Sequence, residues 1–247
     1  MKIILQIVLL ALAMPLVAQH SIPPGTILPL ALQSSLNSRK VRSGQIVTAR
    51  IMQDLPLPAE KIHAGAKVIG HVTRVKPASA SDGAQISVRF DTLVVSGRST
   101  PITTNLRAVA SMMAVEEAQL PESGPDRGTS ENAWTTNQVG GQVVYRGGGP
   151  LADGLRPVGE PTTHGVLAPV ASRSGTPCRG EIEGDDRAQA FWIFSSDACG
   201  TYDFSNLEIV HAGRCDPLGE ITLASLKGDV LVRAGSGLLL RVNSPHP

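Results

Sequence analysis

Ile22-Pro-Pro-Gly25-Thr-Ile-Leu28 opens a stretch that runs to Val75 as IPPGTILPLALQSSLNSRK (22–40), SGQIVTARIMQDLPL (43–57) and IHAGAKVIGHVTRV (62–75). Pro24 and Gly25 stand where a type II turn takes its two central residues, Pro for its fixed φ and Gly for a positive one. The order aliphatic, any, Pro or Ala, Gly, small, any, aliphatic, aliphatic returns at Ile62–Ile69 around Gly65 and at Val232–Leu239 around Gly235. A glycine turn therefore feeds a strand three times. The pattern predicts an all-β fold, barrel-like or a sandwich of short antiparallel strands. None of the turn residues is a nucleophile, an acid or a soft ligand.

Outward from this stretch, the strands are bounded by turn chemistry. Ile27 to Leu36 is apolar but contains Pro29, which has no N–H for a central ladder and predicts an edge or a bulge. Gln45 to Asp54 and Lys67 to Val75 read as strands, with Gly70 a site for a bulge or close backbone approach. In Ala84 to Val95, Ile86, Val88 and Phe90 alternate with Gln85, Ser87 and Arg89, the period of a half-buried strand. Ser96 to Ser99 turns this strand back into Thr100–Leu106. Aromatic residues are 3% of the chain, so the core is built from Val, Ile, Leu and Ala, while 25 Gly and 18 Pro predict many short strands.

At the start, Met1-Lys2 precedes an apolar run from Ile3 to Val17 closed by Ala18-Gln19. One basic residue, roughly 15 apolar ones and a small residue match a secretory leader over residues 1–19, short of the ~20 that a spanning helix needs. The expectation is an exported protein, periplasmic, associated with the outer membrane or extracellular. The formal charge is +1, and about zero without Lys2, which offers no field to steer nucleic acid.

The run IPPGTILPLAL, then LNS, then SGQIVTARIMQDL, then IHAGAKVIGHVTRV, resembles the C-terminal domain of TrbI-like proteins, the scaffold subunits of bacterial conjugation and type IV secretion machines. Ile22, Pro23, Gly25, Thr26, Leu36, Asn37, Ser38, Gly44, Gln45, Ile62, Gly65 and Gly70 carry the likeness, which covers about residues 22–106. It implies a β-barrel-like domain that assembles at the outer membrane, with other envelope proteins or copies of itself as partners and a peripheral membrane contact. Family members carry an inner-membrane anchor and a Pro-rich spacer before this domain. Here a leader meets the domain at once, so the expectation is a free-standing exported relative with a β unit over residues 20–107.

Ala108 to Leu120 predicts one short helix stopped by Pro121, with Met112 and Met113 as packing residues. Glu122 to Gly159 is rich in Gly, Pro, Ser and Asn, so residues 108–160 read as the helix followed by a long Gly-rich loop with one strand at Gln142–Arg146. Its rings, Trp134 and Tyr145, are candidate partner-binding anchors. Residues 161–247 return to strands that complete the same domain, with Leu238–Val242 pairing back onto the first strand. Cys178, Cys199 and Cys215 lie here. In an oxidising compartment one bridge is expected. Cys178–Cys199 would bracket a hairpin from Glu181–Glu183 through Gly184–Arg187 into Ala190–Phe194, and Cys199–Cys215 is the alternative.

No local motif points to catalysis, a cofactor or a metal. Asp91-Thr92 is followed by Leu93 where an aspartic protease has Gly, the six His show no ligand spacing, and Asp185-Asp186 reads as a solvated turn. The chemistry favours a non-enzymatic structural or assembly component of the bacterial cell envelope. The alternatives are a secreted carbohydrate- or wall-binding β module that stacks sugars on Trp134, Tyr145, Phe191 and Trp192, and, third, an enzyme assembled from distant loops.

Overall fold

The computed structural model describes residues 22–58, 61–120, 135–141, 144–146, 150–171, 184–212 and 217–244, with the backbone alone at 135–136 and 144–146. In chain order these form β1 (Ile27–Leu32), β2 (Leu36–Asn37), β3 (Ile46–Ile51), β4 (Lys67–Lys76), β5 (Gln85–Val95), β6 (Arg98–Pro101), β7 (Thr104–Ala110), helix α1 (Met112–Gln119), β8 (Thr135–Asn137), β9 (Val144–Arg146), β10 (Leu151–Asp153), β11 (Arg156–Thr162), β12 (Gly165–Val170), β13 (Asp185–Ala190), β14 (Gly200–Tyr202), β15 (Leu207–Ile209), β16 (Ile221–Ser225), β17 (Leu231–Val232) and β18 (Gly237–Val242).

The protein is all-β. Its main sheet has ten strands in the order β14-β7-β18-β1-β3-β4-β5-β16-β15, with β6 attached to β5. Every pair is antiparallel except β14 with β7. The sheet curls until its two edge strands, neighbours in sequence, come together, and Thr201 Oγ1 donates to the Leu207 carbonyl at 2.9 Å. No backbone ladder joins those edges, so the barrel is not closed. A second sheet runs β13-β12-β11-β10-β9-β8, and β17 with β2 makes a small ribbon.

Two apolar cores follow from this arrangement. The first fills the curled sheet with Leu28, Leu30, Ile51, Val68, Ile86, Phe90, Leu223 and Leu240, among others. On the opposite face of the same central strands, Ile27, Ala108, Ala110 and Leu239 pack against Val166, Ala168, Val170 and Phe191 beneath the second sheet. β1, β7 and β18 are thus buried on both faces, which explains their nearly unbroken apolar runs.

Pro29 does not mark an edge. β1 is central, between β18 and β3. The Pro29 carbonyl accepts from Met52 N at 3.0 Å, so its missing N–H would face the same side, beyond the point where the β3 ladder ends at Leu30–Ile51. No ladder bond is lost. Two residues earlier on this side, Ile27 N donates instead to Gln189 Oε1 of β13 at 3.2 Å.

The helix starts at Met112, four residues later than its composition predicts. Ala108–Ala110 are held in β7 by pairing with β18 and β14, and Ser111 caps the helix by accepting from Ala114 N at 3.1 Å. The region from Glu122 to Gly159 is richer in regular structure than its composition suggests: among the described residues it supplies β8, β9, β10 and the first half of β11. Sheet pairing with β12 and the burial of Leu151 override weak local propensity. The expected hairpin into Ala190–Phe194 is also displaced. Asp185–Ala190 is strand β13, and Phe191–Phe194 is a turn closed by Phe194 N donating to Phe191 O at 2.8 Å.

Candidate functional site

Gly25, Gly65 and Gly235 have φ of +83°, +94° and +91°. In each turn the residue after the glycine donates to the carbonyl two before it: Thr26 N to Pro23 O at 3.2 Å, Ala66 N to His63 O at 3.3 Å, and Ser236 N to Arg233 O at 3.1 Å. Pro24 occupies the second position of the first turn. The three also dock alike. Gly25 N donates to Val242 O, Gly65 N to Ile51 O and Gly235 N to Leu32 O, all within 2.7–2.8 Å, the acceptor in each case being the last residue of the strand that pairs with the one leaving the turn. These glycines set register and present no reactive group.

The first turn is tied to the second sheet. Arg187 of β13 donates through Nη2 to the Pro24 carbonyl at 3.1 Å and to Asp185 Oδ2 at 2.6 Å. The hydrogen bonds from Arg187 hold the Asp185 carboxyl below its ordinary range despite partial burial, and the same pairing raises the guanidinium. Asp185 is accordingly a clamp residue within a strand, not a solvated turn tip.

Of the candidate anchors, Trp134 lies outside the described residues. Tyr145 is in β9, between β8 and β10, and its side chain is likewise outside them. Phe191 is fully buried in the second core and offers no stacking face. Cys199 is also fully buried and is disulfide-bonded. Cys178 and Cys215, the two other cysteines, both fall outside the described residues. Among the described residues no three His, Cys, Asp or Glu side chains group as a metal site, and no helix is long and apolar enough to cross a membrane. His71 Nδ1 lies 2.9 Å from Asp91 Oδ2, and Thr92 Oγ1 donates to Asp91 Oδ1 at 2.7 Å, on a half-exposed face of β4 and β5.

A cavity of about 410 Å³ opens where the end of α1, β8, the β11–β12 turn and the Phe191–Phe194 turn meet. Gln119, Asn137, Gln138, Thr162 and His164 give it polar walls, and Met52, Val166, Trp192 and Ile193 give it apolar ones. His164 and Trp192 have φ of +70° and +53°, a region that L side chains rarely adopt. Gln53, just past β3 and fully buried, holds both turns: its Oε1 accepts from Trp192 N at 2.6 Å and its Nε2 donates to Val166 O at 2.8 Å. Gly165 permits the approach, since a Cβ there would lie 2.4 Å from Gln53 Oε1 and 2.6 Å from Trp192 Cα. Gln138 is buried too, and donates to the Phe194 carbonyl at 2.8 Å.

Sequence reasoning finds none of this cavity apart from Trp192. Thr-His-Gly at 163–165 reads only as a turn, and Gln53 as the end of a strand, because the contacts join residues more than a hundred positions apart. No protein-family model, curated protein or solved structure matches the chain.

Proposed function

We propose that the chain is an exported, non-enzymatic structural or assembly component of the bacterial cell envelope, related over its first half to TrbI-like scaffolds. The observation that carries this reading is the disulfide of Cys199, buried among the residues of the main core. Such a bond belongs to an oxidising compartment and agrees with the secretory pattern of Ile3–Val17. The body suits a scaffold. The second sheet packs on three doubly buried strands of the main sheet, and of the three equivalent turns those at Gly25 and Gly235 fix register at the two ends of the β1–β18 pair while that at Gly65 does so where β3 meets β4. Its partners are other envelope proteins or further copies of itself, with peripheral membrane contact.

Fractionation of cells expressing the full chain, with mass determination in solution, tests the reading. A protein that has lost its leader, cofractionates with the envelope and forms a defined oligomer supports it. Recovery from the cytosol as a monomer with Met1 intact and Cys199 reduced overturns it.

A further inference from the structure

We infer that the cavity between α1 and the two turns pinned by Gln53 is a binding site for an uncharged saccharide unit. The inference goes beyond the scaffold reading and does not depend on it.

Strain is the first argument. Four non-glycine residues among those described have positive φ, and two of them, His164 and Trp192, line this cavity from distant parts of the chain. A bulky residue in that region persists only when its surroundings over-determine it, and such residues cluster at ligand clamps. Here the surroundings are identified. A wholly buried Gln53 and the space left by Gly165 lock the two turns together, so the cavity walls are preorganised. Its volume of about 410 Å³ falls in the small-ligand range of roughly 300–1,000 Å³.

Chemistry of the lining selects the class. The described residues around the cavity include amides, a hydroxyl, an imidazole, an indole and aliphatic groups, but no carboxylate, lysine or arginine. Among these described residues a charged ligand would meet no fixed counter-charge, and burying it unpaired is unfavourable. A purely apolar ligand would desolvate amide and hydroxyl groups without replacing their hydrogen bonds. A sugar ring fits both requirements: its C–H face suits the apolar wall formed by Met52, Ile193 and the part of the largely buried Trp192 (6% exposed) that lines the cavity, and each hydroxyl both donates and accepts, as Gln119, Thr162 and His164 require. An extended peptide fits less well, because the backbone bordering the cavity is already engaged. Val139 N donates to Ile193 O at 2.8 Å and Ser195 N to Val139 O at 2.9 Å, so along the Phe191–Phe194 wall the backbone is already paired with the chain that continues from β8.

The test uses the full mature chain carrying Trp134→Phe, so that Trp192 is the sole indole reporter. It is titrated with cellobiose, maltose, N,N′-diacetylchitobiose, a galacturonic acid dimer and the neutral peptide Ala-Gln-Ala amide. Saturable quenching or a spectral shift with at least one neutral disaccharide below about 20 mM is expected. His164→Asn keeps a residue that tolerates positive φ, and Gln119→Ala changes an exposed helix position, so both should melt like the parent while each weakens binding at least ~10-fold. No saturable response to any neutral disaccharide, tighter binding of the acidic dimer or the peptide, or sugar binding that survives both substitutions overturns the assignment.

Discussion

Gly70 of β4 faces the carbonyl of Arg89 on β5 so closely that a Cβ on Gly70 would lie 2.0 Å from that oxygen. The contact sits at a register shift between Ile69 and Gly70, where one extra residue of β5 is accommodated. An alanine here cannot be absorbed by a flexible side chain. Gly70→Ala is expected to cost about 3 kcal/mol or more in denaturant unfolding. Gly65 offers a contrast, since a Cβ there would meet nothing within 4 Å and only its φ of +94° resists substitution. Gly65→Val should cost about 1 to 3 kcal/mol. A Gly70→Ala protein as stable as the parent would show that β4 and β5 can part without penalty.

Asp54 gathers the turn that leads into β4. Its carboxylate accepts from Ala64 N at 2.8 Å, pairs with Lys61 Nζ at 2.8 Å and lies 3.5 Å from His63 Nδ1. The hydrogen bond from Lys61, then that from Ala64, lowers its pKa from 3.8 to about 2. A carboxyl depressed in the folded state contributes stability above the unfolded pKa and loses it as pH falls through the folded one. Solvent reaches the group, so the contribution is on the order of 1 kcal/mol. Asp54→Asn should therefore be less stable than the parent at pH 6, with the gap closing between about pH 4 and pH 2. A gap that stays constant across that interval would place the stabilisation elsewhere.

Reduction of the Cys199 disulfide is expected to lower stability by about 2 to 5 kcal/mol. Mapping of unreduced peptides should find Cys199 joined to Cys178, the pairing that brackets β13 and the Phe191–Phe194 turn. A Cys199–Cys215 peptide would instead show that the bridge closes across β14 and β15.

Replacement of Glu122–Gly159 by a Gly-Ser linker is expected to lower the melting temperature by several degrees or more. Composition alone argues the opposite, because so polar a segment has little apolar area to bury. Yet the deletion removes β8, β9, β10 and half of β11, the buried Leu151, and the hydrogen bond from Gln138 to Phe194. An unchanged melt would return the segment to the status of a pure interaction loop.

The regular part of the fold is legible in the sequence because its signals are local. Glycine turns at 25, 65 and 235 and the alternation of Ile86, Val88 and Phe90 survive in any context, and the structure uses them as strand punctuation and core face. Pro29 misleads because its effect depends on where a neighbour ends, which no window of sequence contains. The Phe-Trp-Ile-Phe run misleads for a related reason: aromatic residues favour strands, but here Gln53 and Gly165, far away in sequence, fold the run into a turn. The cavity is made wholly of such relationships, and so only one of its walls, Trp192, is visible in advance.

The place of β18 has a consequence for how the protein is made. This last described strand lies between β1 and β7, and its Val242 exchanges backbone hydrogen bonds with Gly25 and Thr26 beside the first. Synthesis from the N-terminus leaves β1 without one of its two partners until Gly237–Val242 has been made, so the nascent polypeptide cannot lock its central sheet early. Delayed completion keeps the chain threadable. On the proposal that the chain is exported, topology of this kind defers folding until the crossing is done.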